Sequence, residues 1–110
     1  MQGKLLLSAM FAVSLLGTAT SAVAADDRFF VVKNTNQDVS IQQVWTARAG
    51  TRDAWTEADV DYPIAPGTES EFGMGTGNNC FYDVRVKFSD GVVQTFANVN
   101  TCRGDRVIAD

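Results

Sequence analysis

The residues best suited to binding lie between positions 47 and 61, a long polar stretch that interrupts the apolar pattern of the chain. Trp55 stands there among charged residues, where a tryptophan either plugs the open end of a small domain or is exposed as a binding anchor. The plug is favoured because exposed lone aromatics are disfavoured without a partner. As an anchor, Trp55 would bind a partner together with the charged residues around it, Arg48, Arg52, Asp53 and Glu57.

The same stretch carries carboxylates at alternate positions, Asp59 and Asp61. Such carboxylates can converge on calcium, which takes roughly six to eight hard oxygen ligands. No EF-hand spacing is present, and Arg48 and Arg52 can neutralise the same groups. A solvated acidic rim is therefore favoured. Calcium stays as the alternative, with Asp59 and Asp61 as its ligands, and no other cofactor is expected.

Cys80 and Cys102 are the only cysteines. An even count in an exported chain predicts a disulfide, and a single pair has one intramolecular connectivity. Redox motifs usually place their cysteines about two residues apart, and a metal site here would lack soft ligands. The pair is therefore predicted to be structural, and closing its loop would contribute about 3 kcal/mol to stability.

The composition excludes several classes of chemistry. The chain contains no histidine, which removes Ser-His-Asp and Cys-His nucleophiles and histidine-ligated metals. Its formal net charge is −4, whereas a nucleic-acid binder needs clustered Lys and Arg. A carboxylate pair can serve glycoside hydrolysis, but so short a chain offers little room for the cleft that this reaction needs. We therefore expect neither enzymatic activity nor a nucleic-acid partner.

Residues 1–25 have the succession of positive charge, apolar run and small residues that is typical of a secretory signal peptide. Lys4 precedes an apolar run that is too short to span a bilayer as a helix. Cleavage is expected after Ala24 or Ala25. The remaining residues 26–110 are then a single periplasmic or secreted domain without a membrane span. The alternatives are an uncleaved anchor and a buried core helix.

A β-hairpin is predicted between the two cysteines, with Asp90-Gly91 at its turn. A two-residue turn puts Val84 opposite Ala97, and it puts Arg85 opposite Phe96, within reach of a cation–π contact. This pairing leaves the two cysteines one residue out of register. A β-bulge, a three-residue turn or a second strand that ends before the last cysteine is therefore expected. The apolar residues that share one face of the first strand are Tyr82, Val84, Val86 and Phe88.

The run from Cys80 to Gly91, followed by Asn98 to Cys102, resembles a group of small exported bacterial proteins. In that group a signal peptide precedes one β-sandwich-like domain with an Asn-rich first hairpin, a Trp-containing loop and a Pro-Gly turn. The matching features here are Asn34 to Asp38, Trp55 and Pro66-Gly67. Glycine often follows the loop tryptophan in the group, whereas Thr56 follows it here. The group has no established activity, so the resemblance implies a fold and an exported location but no function.

The remaining segments predict short strands separated by turns. Val39, Ile41 and Trp45 belong to one alternating set, whereas Val44 breaks the pattern, so this strand is either covered on both faces or bulged. Trp45 is expected in the core because a tryptophan on a strand is usually buried. The predicted fold is all-β, a small antiparallel β-sandwich or open barrel of about six short strands with one disulfide.

The expected function is that of a non-catalytic exported module of the bacterial envelope that binds an unidentified protein or envelope component. One alternative is an inhibitor of a periplasmic hydrolase, because a rigid loop on a disulfide-stapled domain loses little entropy when it enters an enzyme's cleft. Another alternative is a calcium-stabilised structural domain, which the metal would stabilise by binding only the folded state.

Overall fold

The computed structural model describes residues 27–110, so the predicted signal peptide and its cleavage site lie outside the described residues. Residues 27–110 form seven β-strands and contain no helix. The strands are β1 (Asp27–Asn34), β2 (Ile41–Arg48), β3 (Thr56–Ala58), β4 (Glu69–Thr76), β5 (Phe81–Phe88), β6 (Val93–Asn100) and β7 (Arg106–Ala109).

The described strands form two sheets, one with the order β4-β1-β7 and one with the order β3-β2-β5-β6. Neighbouring strands are antiparallel, except that β1 and β7 run parallel. The predicted all-β sandwich is therefore confirmed, with a parallel pair that the sequence did not indicate. The strand beyond the six expected is β3, which lies inside the polar stretch 47–61 and pairs with β2.

Alternate residues of the strands build the core between the two sheets. Phe30 and Val32 of β1 are fully buried, and so are Val84 and Val86 of β5, because residues two apart share a sheet face. The rings of Phe30 and Phe72 stack with 5.2 Å between their centroids and join β1 to β4. This core contains neither tryptophan, and its members are Phe30, Val32, Ile41, Val44, Ile64, Phe72, Val84, Val86, Phe88, Val99, Val107 and Ala109.

The β5–β6 hairpin is confirmed, but its register differs from the predicted one. Three residues, 89–91, form the turn, in which Gly91 has a φ of +92° and the Phe88 N–H donates to the Val92 carbonyl. Near the turn Arg85 consequently lies opposite Thr95, and the predicted pairing of Arg85 with Phe96 is wrong.

Val84 lies opposite Phe96 rather than opposite Ala97, so this predicted pair is also wrong. A bulge between Tyr82 and Val84 restores the predicted pairing nearer the cysteines. At this bulge the Asn98 N–H donates to the Asp83 carboxylate at 3.0 Å. The three-residue turn and the bulge shift the register in opposite directions and cancel, so the two cysteines remain one residue out of register, and β6 ends at Asn100 before the second of them.

The predicted Cys80–Cys102 disulfide is confirmed, with an S–S distance of 2.06 Å and 5.0 Å between the Cα atoms. Beside it, the fully buried Thr101 donates from its backbone N–H and from Oγ1 to the Cys80 carbonyl, at 2.7 and 2.8 Å. The covalent bond and these two hydrogen bonds close the open end of the β5–β6 hairpin.

One buried amide organises the opposite end of the sandwich. The fully buried Asn34 side chain donates from Nδ2 to the carbonyls of Val39 and Ile64, at 2.8 and 2.9 Å. Its Oδ1 accepts the backbone N–H of Asn36 at 2.9 Å. Because both donors and the acceptor are satisfied, the cost of burying this polar group is offset. The amide thus fixes the Asn-rich turn against the segment that leads into the Pro66-Gly67 turn.

Candidate binding surface

A β-bulge in β2 decides which way Trp45 faces. Without a bulge, Ile41 and Trp45 would share one face of the strand. The pairing of β2 with β5 shifts by one residue between Ile41 and Gln43, so Ile41 and Val44 both lie in the core. Trp45 therefore faces outward and is half-buried. The bulged alternative for this strand is confirmed, and the expectation that Trp45 belongs to the core is wrong.

Four strands contribute one row of side chains to this outer surface. Trp45 pairs with Glu57 of β3 on one side and with Arg85 of β5 on the other. Arg85 in turn pairs with Thr95 of β6, and its Nε donates to Thr95 Oγ1 at 3.5 Å. Trp55 joins this row from the chain just before β3, and we call the whole surface the tryptophan face, which comprises Trp45, Trp55, Glu57, Arg85 and Thr95.

Trp55 lies across β2 and reaches the guanidinium group of Arg85. The pairing of Thr56 with Thr46, extended by one residue, places Trp55 beside Ala47. Ala47 is only 3% exposed although it lies on the outer face, as expected beneath a covering ring. Cζ of Arg85 is 4.1 Å from the centroid of the Trp55 ring, a close cation–π contact. Trp55 is therefore half-buried on the sheet surface, and the favoured interpretation as a plug of the sandwich end is wrong.

The structure brings two of the five predicted binding residues, Trp55 and Glu57, onto the tryptophan face. Arg52 and Asp53 are exposed in the turn before β3, where Asp53 adopts a φ of +56°. Arg48 ends β2 opposite Tyr82 and is also exposed. None of these residues forms an ion pair, since the ion pairs within residues 27–110 are Arg103–Asp105 and Arg106–Glu69.

Trp45 and Thr95 were not predicted to belong to this surface. An exposed cation–π contact of Arg85 was predicted with the ring of Phe96, whereas the structure shows it with the ring of Trp55. The available signal for Arg85 was its place between Val84 and Val86 in an alternating strand. A residue between two core residues of a strand must face away from the core. The choice between ring partners depends on which strands are neighbours, and the hairpin alone does not contain that information.

The two proposed calcium ligands, Asp59 and Asp61, are both exposed. Within the described part of the chain, no three His, Cys, Asp or Glu side chains are arranged so that they can hold a metal ion. Calcium typically requires several converging oxygen ligands. Residues 27–110 therefore give the calcium hypothesis no support. The two carboxylates instead line a cavity at the edge of the sandwich.

Arg28 holds together one end of the sandwich, close to where Arg48 lies. Its guanidinium donates to four backbone carbonyls and to the Tyr82 hydroxyl, with distances of 2.6 Å to Asn79 O, 2.7 Å to Met74 O and 3.0 Å to Tyr82 Oη. Burial raises the pKa of the Tyr82 phenol. The neighbouring Asn79 amide and the cations of Arg28 and Arg48 outweigh burial, so the pKa of Tyr82 lies below its ordinary value of 10.0.

We expect the Arg48→Gln variant to raise the pKa of Tyr82, because it removes a cation that favours the phenolate. The measurement is the alkaline rise of tyrosinate absorbance, taken as the difference between each protein and the same protein carrying Tyr82→Phe. Arg52→Gln, which removes an exposed cation from the turn before β3, serves as the matched control and should leave this titration unchanged. An equal titration in the Arg48→Gln protein and the wild type would contradict the assignment.

The same shift has a consequence for stability. The folded state releases the Tyr82 proton at a lower pH than the unfolded chain does, so this phenol stabilises the fold above the unfolded pKa. The contribution is lost as the pH falls through the folded-state pKa. The denaturant midpoint of the wild type should therefore rise relative to that of Tyr82→Phe across this alkaline window.

Comparison with known proteins gives no assignment for this surface. No protein-family model, curated protein or solved structure was found to match the chain. The structure of residues 27–110 contains no helix with the length and hydropathy of a membrane span. What the tryptophan face can do must therefore be judged from its own geometry and charge.

Proposed function

We propose that the chain is a small, exported, non-catalytic binding module of the bacterial envelope, which contacts a partner protein through the tryptophan face. The observation that carries this proposal is the position of the two tryptophans. Both lie half-buried on one outer sheet surface, and one of them is stacked against an arginine. The Cys80–Cys102 disulfide is compatible with the oxidising compartment that an exported protein reaches.

Placing tryptophans outside the core forgoes stability. Full burial of a large apolar side chain contributes about 1.5–3 kcal/mol to folding, and this small core uses Phe, Val and Ile instead. Trp and Arg are also the residue types most enriched among the positions that dominate the free energy of protein–protein binding. A surface that combines Trp45, Trp55 and Arg85 therefore has the composition of a binding centre.

The tryptophan face is also held in place before any partner arrives. The Arg85 side chain lies between the Trp55 ring, at 4.1 Å, and the Thr95 hydroxyl, at 3.5 Å. On the β3 side, Gln43 Nε2 donates to Glu57 Oε2 at 3.4 Å. Side chains that are already ordered lose less conformational entropy on binding, which supports a role in recognition. The face is an open strand surface with Glu57 as its one carboxylate, an arrangement better suited to contact than to acid–base chemistry.

The test is affinity capture from a bacterial envelope fraction, followed by measurement of the dissociation constant for the purified partner. We expect Trp55→Ala and Arg85→Ala each to weaken binding by about thirtyfold, the loss typical of a residue at a binding centre. Ile108→Ala is the matched control, because Ile108 is an apolar side chain 48% exposed on β7, in the other sheet and away from the tryptophan face. It should change the constant less than about twofold.

Thermal unfolding of each variant shows whether weaker binding reflects the loss of a contact with the partner or the loss of the folded structure. Because Trp55 and Arg85 lie on the surface, the variants should remain folded at the temperature of the binding measurement. Equal affinity of the wild type, Trp55→Ala and Arg85→Ala would contradict the proposal, and so would an effect of Ile108→Ala as large as that of Trp55→Ala.

A further inference from the structure

The sandwich is closed along one side and open along the other. On the closed side, the Gln94 side chain of β6 makes two hydrogen bonds to the backbone of Asp110, the residue just after β7. Its Nε2 donates to the Asp110 carbonyl at 2.7 Å, and its Oε1 accepts the Asp110 N–H at 3.1 Å. On the opposite side the edge strands β3 and β4 border two adjoining cavities of about 250 and 420 Å³. We call this opening the seam.

Apolar residues form part of the floor of the seam. Phe72, the ring stacked on Phe30, lines both cavities. Met74 and Ala58 line the larger cavity and are half-buried, and Ile64 lines the smaller one. Removing such surface from water is favourable in proportion to its area, so an apolar side chain that entered the seam would be stabilised there.

The rim of the seam is negatively charged. In the described part of the chain, Asp59, Asp61 and Glu71 line it, whereas no Lys or Arg does. Within residues 27–110 these three carboxylates form no ion pair, although Glu69 on the same strand is paired with Arg106 at 3.2 Å. Cations on an incoming molecule would therefore meet three uncompensated carboxylates.

The backbone beside the seam is accessible to another extended chain. Among the strands of residues 27–110, β3 and β4 lie at the edges of their sheets, and one side of each has no paired strand there. At Gly73 of β4, which lines the larger cavity, an added Cβ would meet no atom within 4 Å. A glycine at such an edge leaves room for close approach of a second backbone. Addition of an extended peptide to a sheet edge is an established mode of recognition.

We propose that the seam binds an extended segment of a partner protein in which apolar residues alternate with Lys or Arg. Successive side chains of an extended chain point to opposite sides, so the apolar residues enter the seam over Phe72 and Met74 while the cations meet the acidic rim. This site is separate from the tryptophan face, because inward residues of β3 line the seam whereas Glu57 of the same strand faces outward.

The probe is a nine-residue peptide, acetylated and amidated, that alternates lysine with valine, and its binding is measured by isothermal titration calorimetry. A peptide that alternates glutamate with valine tests the charge, and one that alternates lysine with serine tests the apolar requirement. We expect each control peptide to bind at least about tenfold more weakly than the lysine–valine peptide. Equal binding of either control peptide would overturn the proposal.

Variants of the chain locate the site. Asp59→Asn, Asp61→Asn and Glu71→Gln, combined in one protein, should weaken the lysine–valine peptide at least about tenfold. Asp90→Asn, a charge change in the distant hairpin turn, is the matched control and should have less than about a twofold effect. All four positions are exposed, so these proteins should remain folded, and thermal unfolding verifies this.

A second variant tests occupancy of the seam rather than its charge. Thr56→Phe enlarges an exposed side chain of β3 that lines the larger cavity, and should also weaken the peptide at least about tenfold. Trp55→Ala should bind the peptide as the wild type does, because the tryptophan face is a different site. Full binding by the triple carboxylate variant or by Thr56→Phe would overturn the proposal. Equally tight binding of free spermidine, or pairing of two copies of the chain through the seam, would also overturn it.

Discussion

Replacing Cys80 and Cys102 together by serine is expected to lower the free energy of unfolding by about 3 kcal/mol. The cysteines are 22 positions apart, and the bond between them removes loop-closure entropy from the unfolded chain. The domain is small and its core thin, so this loss is a large part of the stability expected for its size. The measurement is equilibrium unfolding in urea, followed by tryptophan fluorescence.

Two comparisons make this prediction specific. The wild type measured in reductant should unfold at the same urea concentration as the double serine variant, since both lack the covalent bond. A double alanine variant should behave similarly, which shows that the serine hydroxyls are not responsible. A loss below about 1 kcal/mol would contradict the prediction and would indicate that the unfolded β5–β6 segment is already compact.

Gly104→Ala is expected to destabilise the fold by about 3 kcal/mol, through two separate effects. Gly104 has a φ of +71°, a region that residues with a Cβ rarely adopt. A Cβ at this position would also overlap the ring of Phe29 from β1. The turn between β6 and β7 is held against β1, because the Val31 N–H donates to the Asp105 carbonyl at 3.0 Å. Moving the turn away from β1 to relieve either effect would break this hydrogen bond.

Two further variants separate the backbone effect from the overlap. Gly50 has a φ of +83° but no atom within 4 Å of an added Cβ, so Gly50→Ala should cost only the backbone term, about 1 kcal/mol. Combining Phe29→Leu with Gly104→Ala should cost less than the sum of the two single changes, because the smaller side chain relieves the overlap. Equal losses for Gly50→Ala and Gly104→Ala, measured by urea unfolding, would refute the overlap.

The sequence was most informative where the signals were local. Alternation from Tyr82 to Phe88, the glycine at the turn and the single pair of cysteines were enough to predict the β5–β6 hairpin and its disulfide. The exact register was not predictable, because a three-residue turn and a bulge each move the pairing by one residue. Such shifts depend on the fit between neighbouring strands, which a pattern of apolar residues does not specify.

The tryptophan face was largely hidden for the same reason. One bulged residue between Ile41 and Gln43 turns Trp45 from the inner to the outer face. The contact between Trp55 and Arg85 further requires that β3 and β5 lie on either side of β2, an arrangement that joins distant parts of the chain. The stretch 47–61 contributes Trp55 and Glu57 to this surface, whereas Arg85 and Thr95 lie in strands far along the sequence.

The position of β1 has a consequence for when the protein can fold. This strand is central in its sheet, yet its neighbours β4 and β7 are both made much later, and Val32 pairs with Val107. A chain emerging from the ribosome must therefore wait for Val107 before β1 gains its second neighbour, and such non-local pairing is intrinsically slow. Until then one edge of β1 has unpaired backbone groups, which makes the incomplete chain prone to aggregation.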